Sequence, residues 1–351
     1  MHPESTTFTG KAEQLYRQSL ELFQAEGAEN ETGLPLQGLG YLAYMQGDNS
    51  QARQYLQTSL AAFTKANQPG GTAAALNTLA QVARRQGEFQ EASEVCRQGL
   101  EIRRGLGDLK GVASSLNILG LILAEVGDFD EALAALQESV AICRQLDNRT
   151  GLSNALANLI QVAFHLGDQE AAWSYAEEGL AMHRELGDYW GVAISLNNLG
   201  CLAEDQGDLG QARRLFQESV AIYREIGIRS GLATSLGNLG DVCVALERYE
   251  EAKSCLREGL RVAVEANDTP NTLLALSGIG YLLLASGDDD RALPLLAFVQ
   301  EHPKNRPWSK KKAARRLAQV YPRLTAAKQA QIQAQGRSLL LDDIIQEFLT
   351  F

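Results

Sequence analysis

The chain has little of what catalytic and metal centres are built from. Its four histidines, His2, His165, His183 and His302, are scattered without metal-ligand spacing, and none pairs with a carboxylate or thiol in a catalytic arrangement. The five cysteines, Cys96, Cys143, Cys201, Cys243 and Cys255, form no C-x-x-C pair. They fall mostly where a helix takes a small apolar side chain, which reads as buried free thiols in a reducing compartment. The sequence holds no G-x-x-x-x-G-K-[ST], no G-x-S-x-G and no dinucleotide fingerprint. Asp288, Asp289 and Asp290 stand at a turn where a helix N-cap belongs. Neither catalysis, nor a metal, nor a cofactor is expected. Long apolar runs are also missing: the greasiest, Leu116 to Ala124, ends at Glu125, short of the roughly 18 residues a bilayer span needs. The polar start MHPESTTFTGKAEQ lacks the layout of a signal peptide, so a cytoplasmic protein without a membrane partner is expected. Lys and Arg number 32 against 43 Asp and Glu, a net charge of -11 that weighs against nucleic acid and favours a basic or neutral peptide.

What is present is a period of 40. Ala52, Ala92, Ala132, Ala172, Ala212, Ala252 and Ala292 keep it, with Ala12 in register, as do Leu36, Leu76, Leu116, Leu156, Leu196, Leu236 and Leu276. A fixed step of this length means a stacked array rather than one closed core. Within the unit from Leu109 to Asp147, Val112, Leu116, Leu119 and Leu123 mark one amphipathic helix and Ala132, Leu136, Val140 and Cys143 a second. Gly127 supplies a left-handed cap and Asp128 an N-cap between them, and connections this short make the neighbours antiparallel. Ala132 is small enough to let the two backbones approach closely. The period predicts an all-α, right-handed superhelical solenoid of antiparallel helix pairs, with about seven repeats. Residues 1–10 are expected to be disordered, 11–300 to form the solenoid, and 301–351 a C-terminal helical cap with a basic segment.

Leu199-Gly200, Ala203, Ala212, Phe216 and Val220, and likewise Leu239-Gly240, Cys243, Ala252 and Leu256, resemble the tetratricopeptide repeat signature. The units run to 40 residues instead of closing on a proline. They are similar to the longer variety found in Leu-Gly-Asn repeat proteins, kinesin light chains and bacterial signalling regulators. The C-terminal stretch, RALPLLAFVQEHP followed by KKAARRLAQV and GRSLLLDDIIQEFL, resembles the closing segment of bacterial regulators in which a nucleotide-switch ATPase precedes a tetratricopeptide sensor array.

The resemblance implies that the first helix of each pair lines a concave groove. It assigns Asn77, Asn117, Asn158, Asn197, Asn198 and Asn238 to that face, with Gln81, Gln161, Cys201 and Asp241 beside them. An amide carries both donor and acceptor, which suits gripping an extended peptide backbone; bonding between neighbouring helices is the alternative. One turn further stand Arg84, Arg85, Glu125, His165, Glu204 and Asp205, which are either solvated helix ends or a gradient from basic to acidic that would orient a ligand.

Other features divide between readings. Lys304, Arg306, Lys310, Lys311, Lys312, Arg315 and Arg316 form either a solvated helix start or a docking surface for an acidic partner or a nucleic acid, with Trp308 packing the tail. Trp173, Tyr175, Tyr189 and Trp190 either fill the core or form an aromatic binding patch. The first helix, KAEQLYRQSLELFQAEG, lacks a partner before it and exposes Leu15, Leu22 and Phe23; it marks a fragment or serves as a cap. Three functions follow: a scaffold binding a protein or peptide of unknown identity in the groove, a detached ligand-sensing module of a bacterial signalling ATPase of the STAND type or transcriptional regulator, or a structural spacer that self-associates through the N-terminal helix.

Overall fold

A computed structural model describes residues 3–349, and every regular element among them is helical. Helix α1 (Pro3–Ala25) begins inside the stretch expected to be disordered. Seven pairs follow: α2 (Gly33–Gln46) with α3 (Asn49–Lys65), α4 (Pro69–Gln86) with α5 (Phe89–Leu106), α6 (Leu109–Val126) with α7 (Phe129–Gln145), α8 (Arg149–Leu166) with α9 (Gln169–Leu186), α10 (Tyr189–Asp205) with α11 (Leu209–Ile226), α12 (Arg229–Ala245) with α13 (Tyr249–Glu265), and α14 (Thr269–Ala285) with α15 (Asp289–Glu301). Helices α16 (Pro307–Val320), α17 (Ala326–Ser338) and α18 (Leu341–Leu349) complete the chain. It divides into two compact units, Met1–Tyr175 and Ala176–Phe351, the boundary falling within α9.

The period is visible in the burial. Ala52, Ala92, Ala132, Ala172, Ala212, Ala252 and Ala292 are all 0% exposed, and the leucine column from Leu36 to Leu276 is buried throughout. Ala12 is only partly buried. The glycine of each Leu-Gly pair has its own reason: a Cβ at Gly120 would lie 2.5 Å from Leu136, and one at Gly240 2.5 Å from Leu256. The first helix of a pair thus accepts the large side chain of the second through a missing methyl group. Ala132→Leu adds volume where none is free and is expected to cost about 1–3 kcal/mol, read from the denaturation midpoint.

Turns between paired helices use the left-handed region, with Gly47, Gly87, Gly127, Gly167, Gly207 and Gly287 at φ between 76° and 94°. Glu247 occupies the same column at φ 59°, where its Cβ is strained. Glu247→Gly is expected to stabilise the second unit by about 1 kcal/mol, seen as a higher unfolding midpoint. By length and composition α6 would cross a membrane, but half of it is buried against its neighbours and Lys110 and Glu125 stand near its ends, as in a core helix.

The inner face of each unit follows from which helices touch. In the first, α2 packs on α4, α4 on α6 and α6 on α8; in the second, α10 packs on α12 and α12 on α14. Successive second helices are bridged instead by long side chains, as in Arg104–Glu138 at 2.8 Å in the first unit, and Arg184–Glu218 at 3.0 Å and Arg224–Glu258 at 2.9 Å in the second. The first helices of the pairs therefore line the concave side of each unit and the second helices the convex side.

Candidate functional site

In the first unit most of the expected groove residues are engaged by side chains of their own or a neighbouring repeat. Asn77, buried, accepts a hydrogen bond from Ser115 Oγ at 2.9 Å, and Gln81 Oε1 accepts one from the Tyr44 hydroxyl at 3.3 Å. Asn158 Nδ2 donates to Asn117 Oδ1 at 2.9 Å. Opposite charges one repeat apart meet here, Arg84 pairing with Glu125 at 2.6 Å, so these two do not form separate basic and acidic zones. Arg85 lies 3.6 Å from the centroid of the Tyr44 ring and donates to the Tyr44 carbonyl at 2.6 Å. His165 stacks on Phe129 at 4.8 Å, and Gln161 stays exposed.

Between α6 and α8 this unit opens a cavity of about 410 Å³ lined by Lys110, Ser114, Asn117, Asn148, Thr150 and Asn154 among others. Lys110, Ser114, Thr150 and Asn154 are exposed. They lie one to two turns before the Asn positions, and sequence reasoning passed over them. The signal was present: Lys110, Ser114 and Asn117 share one helix face at spacings of four and three, and Thr150 and Asn154 repeat it one period later. Each helix begins at an N-cap, Asp108 Oδ1 accepting from Gly111 N at 2.9 Å and Asn148 Oδ1 from Gly151 N at 3.1 Å, which fixes the first turn carrying Lys110 and Thr150.

In the second unit Asn197 Oδ1 accepts from both Ser235 Oγ and Asn238 Nδ2 at 3.2 Å, and Asn238 also donates to Cys201 Sγ at 3.8 Å. Asn238 is 2% exposed, so this amide holds repeats together. Asn198 is half-buried and Asp205 exposed. Burial pushes the Cys201 thiol up to about 12, so it is protonated and unreactive at neutral pH.

The basic segment is not simply a solvated helix start. Lys311 and Arg315 are exposed, but Lys312 and Arg316, one turn apart on α16, turn into the concave face of their own unit. Lys312 Nζ lies 3.1 Å from Asp241 Oδ2 and 3.2 Å from Glu204 Oε2. Arg316 reaches Asp241 Oδ2 at 2.7 Å and donates to the Ser277 carbonyl at 2.7 Å and to Ser277 Oγ at 2.8 Å. Its guanidinium also lies 4.5 Å from the centroid of the Tyr281 ring. Burial alone would raise the Asp241 carboxyl, yet Arg316 and Lys312 outweigh it and hold the group below its ordinary value. Burial dominates at Glu204 and raises it. At Lys312 burial is outweighed by Asp241 and Glu204, so the ammonium is held in its charged form. The side chain of Trp308 lies outside the described residues. Of the four aromatics, Trp173 and Tyr175 are half-buried, whereas Tyr189 and Trp190 are 61% and 55% exposed and do not fill the core.

The model of the MalT-like TPR region matches residues 6–186, and that of the tetratricopeptide repeat matches 151–225 and 231–297. The chain belongs to the tetratricopeptide repeat family. Repeats of this kind generally mediate protein interactions, on a scaffold that is typically non-enzymatic. No curated protein matches the sequence. Among solved structures the fold is similar to that of the apo quorum sensor NprR from B. thuringiensis, at 14% identity and TM-score 0.58 over 89% of this chain and 97% of that one. It is similar to a Rap protein complexed with Competence and Sporulation Factor, at 13% identity and TM-score 0.56 over 97% and 99%. It also resembles a signal transduction ATPase of the STAND type with a tetratricopeptide repeat sensor from Pyrococcus horikoshii, at 13% identity and TM-score 0.57, over 92% of this chain but 55% of that one.

Proposed function

We propose that the chain is a protein-interaction scaffold that binds a peptide or protein segment on its concave face. The observation that carries this reading is the open polar cavity between α6 and α8, with Lys110, Ser114, Thr150 and Asn154 exposed around it. The Asn158–Asn117 bond uses one donor and one acceptor of that pair. The Asn117 amide nitrogen and the Asn158 carbonyl oxygen keep capacity for a peptide backbone. The fold shared with a Rap protein solved in complex with Competence and Sporulation Factor supports a repeat array that takes a ligand.

The test is to pan a displayed peptide library against the whole chain and titrate the enriched peptides against an Asn117→Ala, Asn154→Ala, Gln161→Ala variant. The expected result is a loss of affinity of at least tenfold with little change in the melt, since two of the three side chains are exposed. Enriched peptides that bind wild type and variant equally would overturn it.

A second reading, a sensor module working with a signalling ATPase, is supported by the match to the MalT-like repeat region and by the fold shared with the Pyrococcus protein. Co-purification of such an ATPase from the native cell, lost in the same variant, is the outcome it requires.

A further inference from the structure

We propose that the concave face of the second unit is a receptor for a basic helix carrying two cations one turn apart, and that α16 holds this place as an internal ligand which a partner helix displaces. The proposal rests on reading the concave face as a binding surface, and it concerns residues that the cavity of the first unit does not include. Positions four apart share one helix face, so Lys312 and Arg316 meet the floor together. The floor is built for charge: Asp241 is 2% exposed and receives both cations, and Glu204 receives the lysine. Other repeats carry no acid at these positions. The Asp241 column reads Gln81, Leu121 and Gln161 in the first unit and Tyr281 later in the second, and the Glu204 column reads Arg84, Ala124 and Phe164, then Val244 and Leu284. The acidic pair is thus a local feature and not a consequence of the repeat.

The seat is imperfectly filled. Asp241 Oδ1 is buried without a hydrogen-bond partner, while Oδ2 takes both cations. A guanidinium in place of the Lys312 ammonium presents two parallel donors and would engage both carboxylate oxygens, so a helix with arginine there fits better than the resident one. The resident helix is also set apart from its neighbours. Residues 302–306 before it are non-helical, and the residues after it form the short 3-10 turn Tyr321–Arg323 and a break before α17. Among the residues of α16 whose burial is described, the buried apolar ones are Ala313 and Leu317. It is therefore held in good part by the polar contacts that a competitor would reproduce, and its presence lowers the apparent affinity of any competitor by the fraction of time the seat is filled.

The probe is a fluorescent peptide with the sequence of residues 307–320 and arginine at the position of Lys312, titrated by anisotropy into the full chain. The expected result is binding to the Lys312→Ala chain at least tenfold tighter than to wild type. Binding should be lost in the Glu204→Gln, Asp241→Asn chain, and with a peptide carrying alanine at both cation positions. A Lys312→Ala chain that melts cooperatively yet binds no better than wild type would overturn the proposal, as would equal binding by the acid-deleted chain. Hydrogen exchange on the unaltered protein tests the same displacement without any substitution. The amides of α16 should exchange at least tenfold faster when the peptide is added, while those of α14 do not change; unchanged protection of α16 at saturating peptide would overturn the proposal. Because the peptides panned on the whole chain are scored against Asn117, Asn154 and Gln161 of the first unit, loss of this proposal would leave that result standing, and the reverse.

Discussion

Replacing Asp241 by alanine is expected to free α16 and loosen the end of the second unit. The carboxylate is 2% exposed and is the common partner of Lys312 and Arg316, the latter itself 7% exposed. Removing it leaves two cations in a poorly hydrated site with only Glu204, Ser277 and the Tyr281 ring to receive them. Breaking a buried pair from one side costs about 3–5 kcal/mol, far more than the pair contributes over an apolar replacement. Denaturation should show that loss and hydrogen exchange should localise it to α16, while α4 and α6 keep their protection; a midpoint shifted by less than about 1 kcal/mol would contradict the cluster's role. Acid should act through the same group. Its folded pKa lies below the ordinary 3.8, so its contribution is complete above that value and is lost as the pH falls through the folded one. Glu204, raised by burial, has the opposite sign: its charged form is disfavoured in the fold, and protonation as the pH falls through its folded value relieves that cost.

Phe216→Ala is expected to cost about 3–5 kcal/mol, since the ring is fully buried and its removal leaves a cavity between α10 and α11. The ring lies where a Cβ on Gly200 would come within 2.6 Å of it, so Gly200→Leu alone is expected to cost about 1–3 kcal/mol by overpacking. Together the two changes should cost less than their sum, because the new side chain fills the space the ring vacates. The sequence already holds such an exchange: Ile160 and Ala176 stand in the columns of Gly200 and Phe216. A double-mutant cycle with no coupling would show that the two positions do not share a contact.

The helix pairs, their turns and the buried alanine column were legible in the sequence because each is enforced at every repeat, and a requirement met seven times in register stands out from local variation. The bonding of Asn197 with Asn238, and of Asn117 with Asn158, was legible only as two alternatives, because an amide serves a ligand and a neighbouring helix equally well and the choice depends on the distance between repeats. The seat of Lys312 and Arg316 was not legible. Glu204 and Asp241 precede Lys312 by 108 and 71 positions, and nothing in a run of seven basic residues says which two turn inward. The exposed polar residues around the cavity between α6 and α8 escaped notice for another reason: Lys110, Ser114, Thr150 and Asn154 are types found on any solvated helix, and only the cavity beneath them distinguishes the face.

The central claim is that the concave face binds a peptide or protein segment. Its most direct measurement is the hydrogen-exchange footprint of a peptide enriched on the whole chain, compared between the first and second helices of each pair. Protection concentrated on α4, α6 and α8, with α3, α5 and α7 unchanged, is the predicted result; protection on the second helices or on α1, with α6 and α8 unaffected, would contradict it.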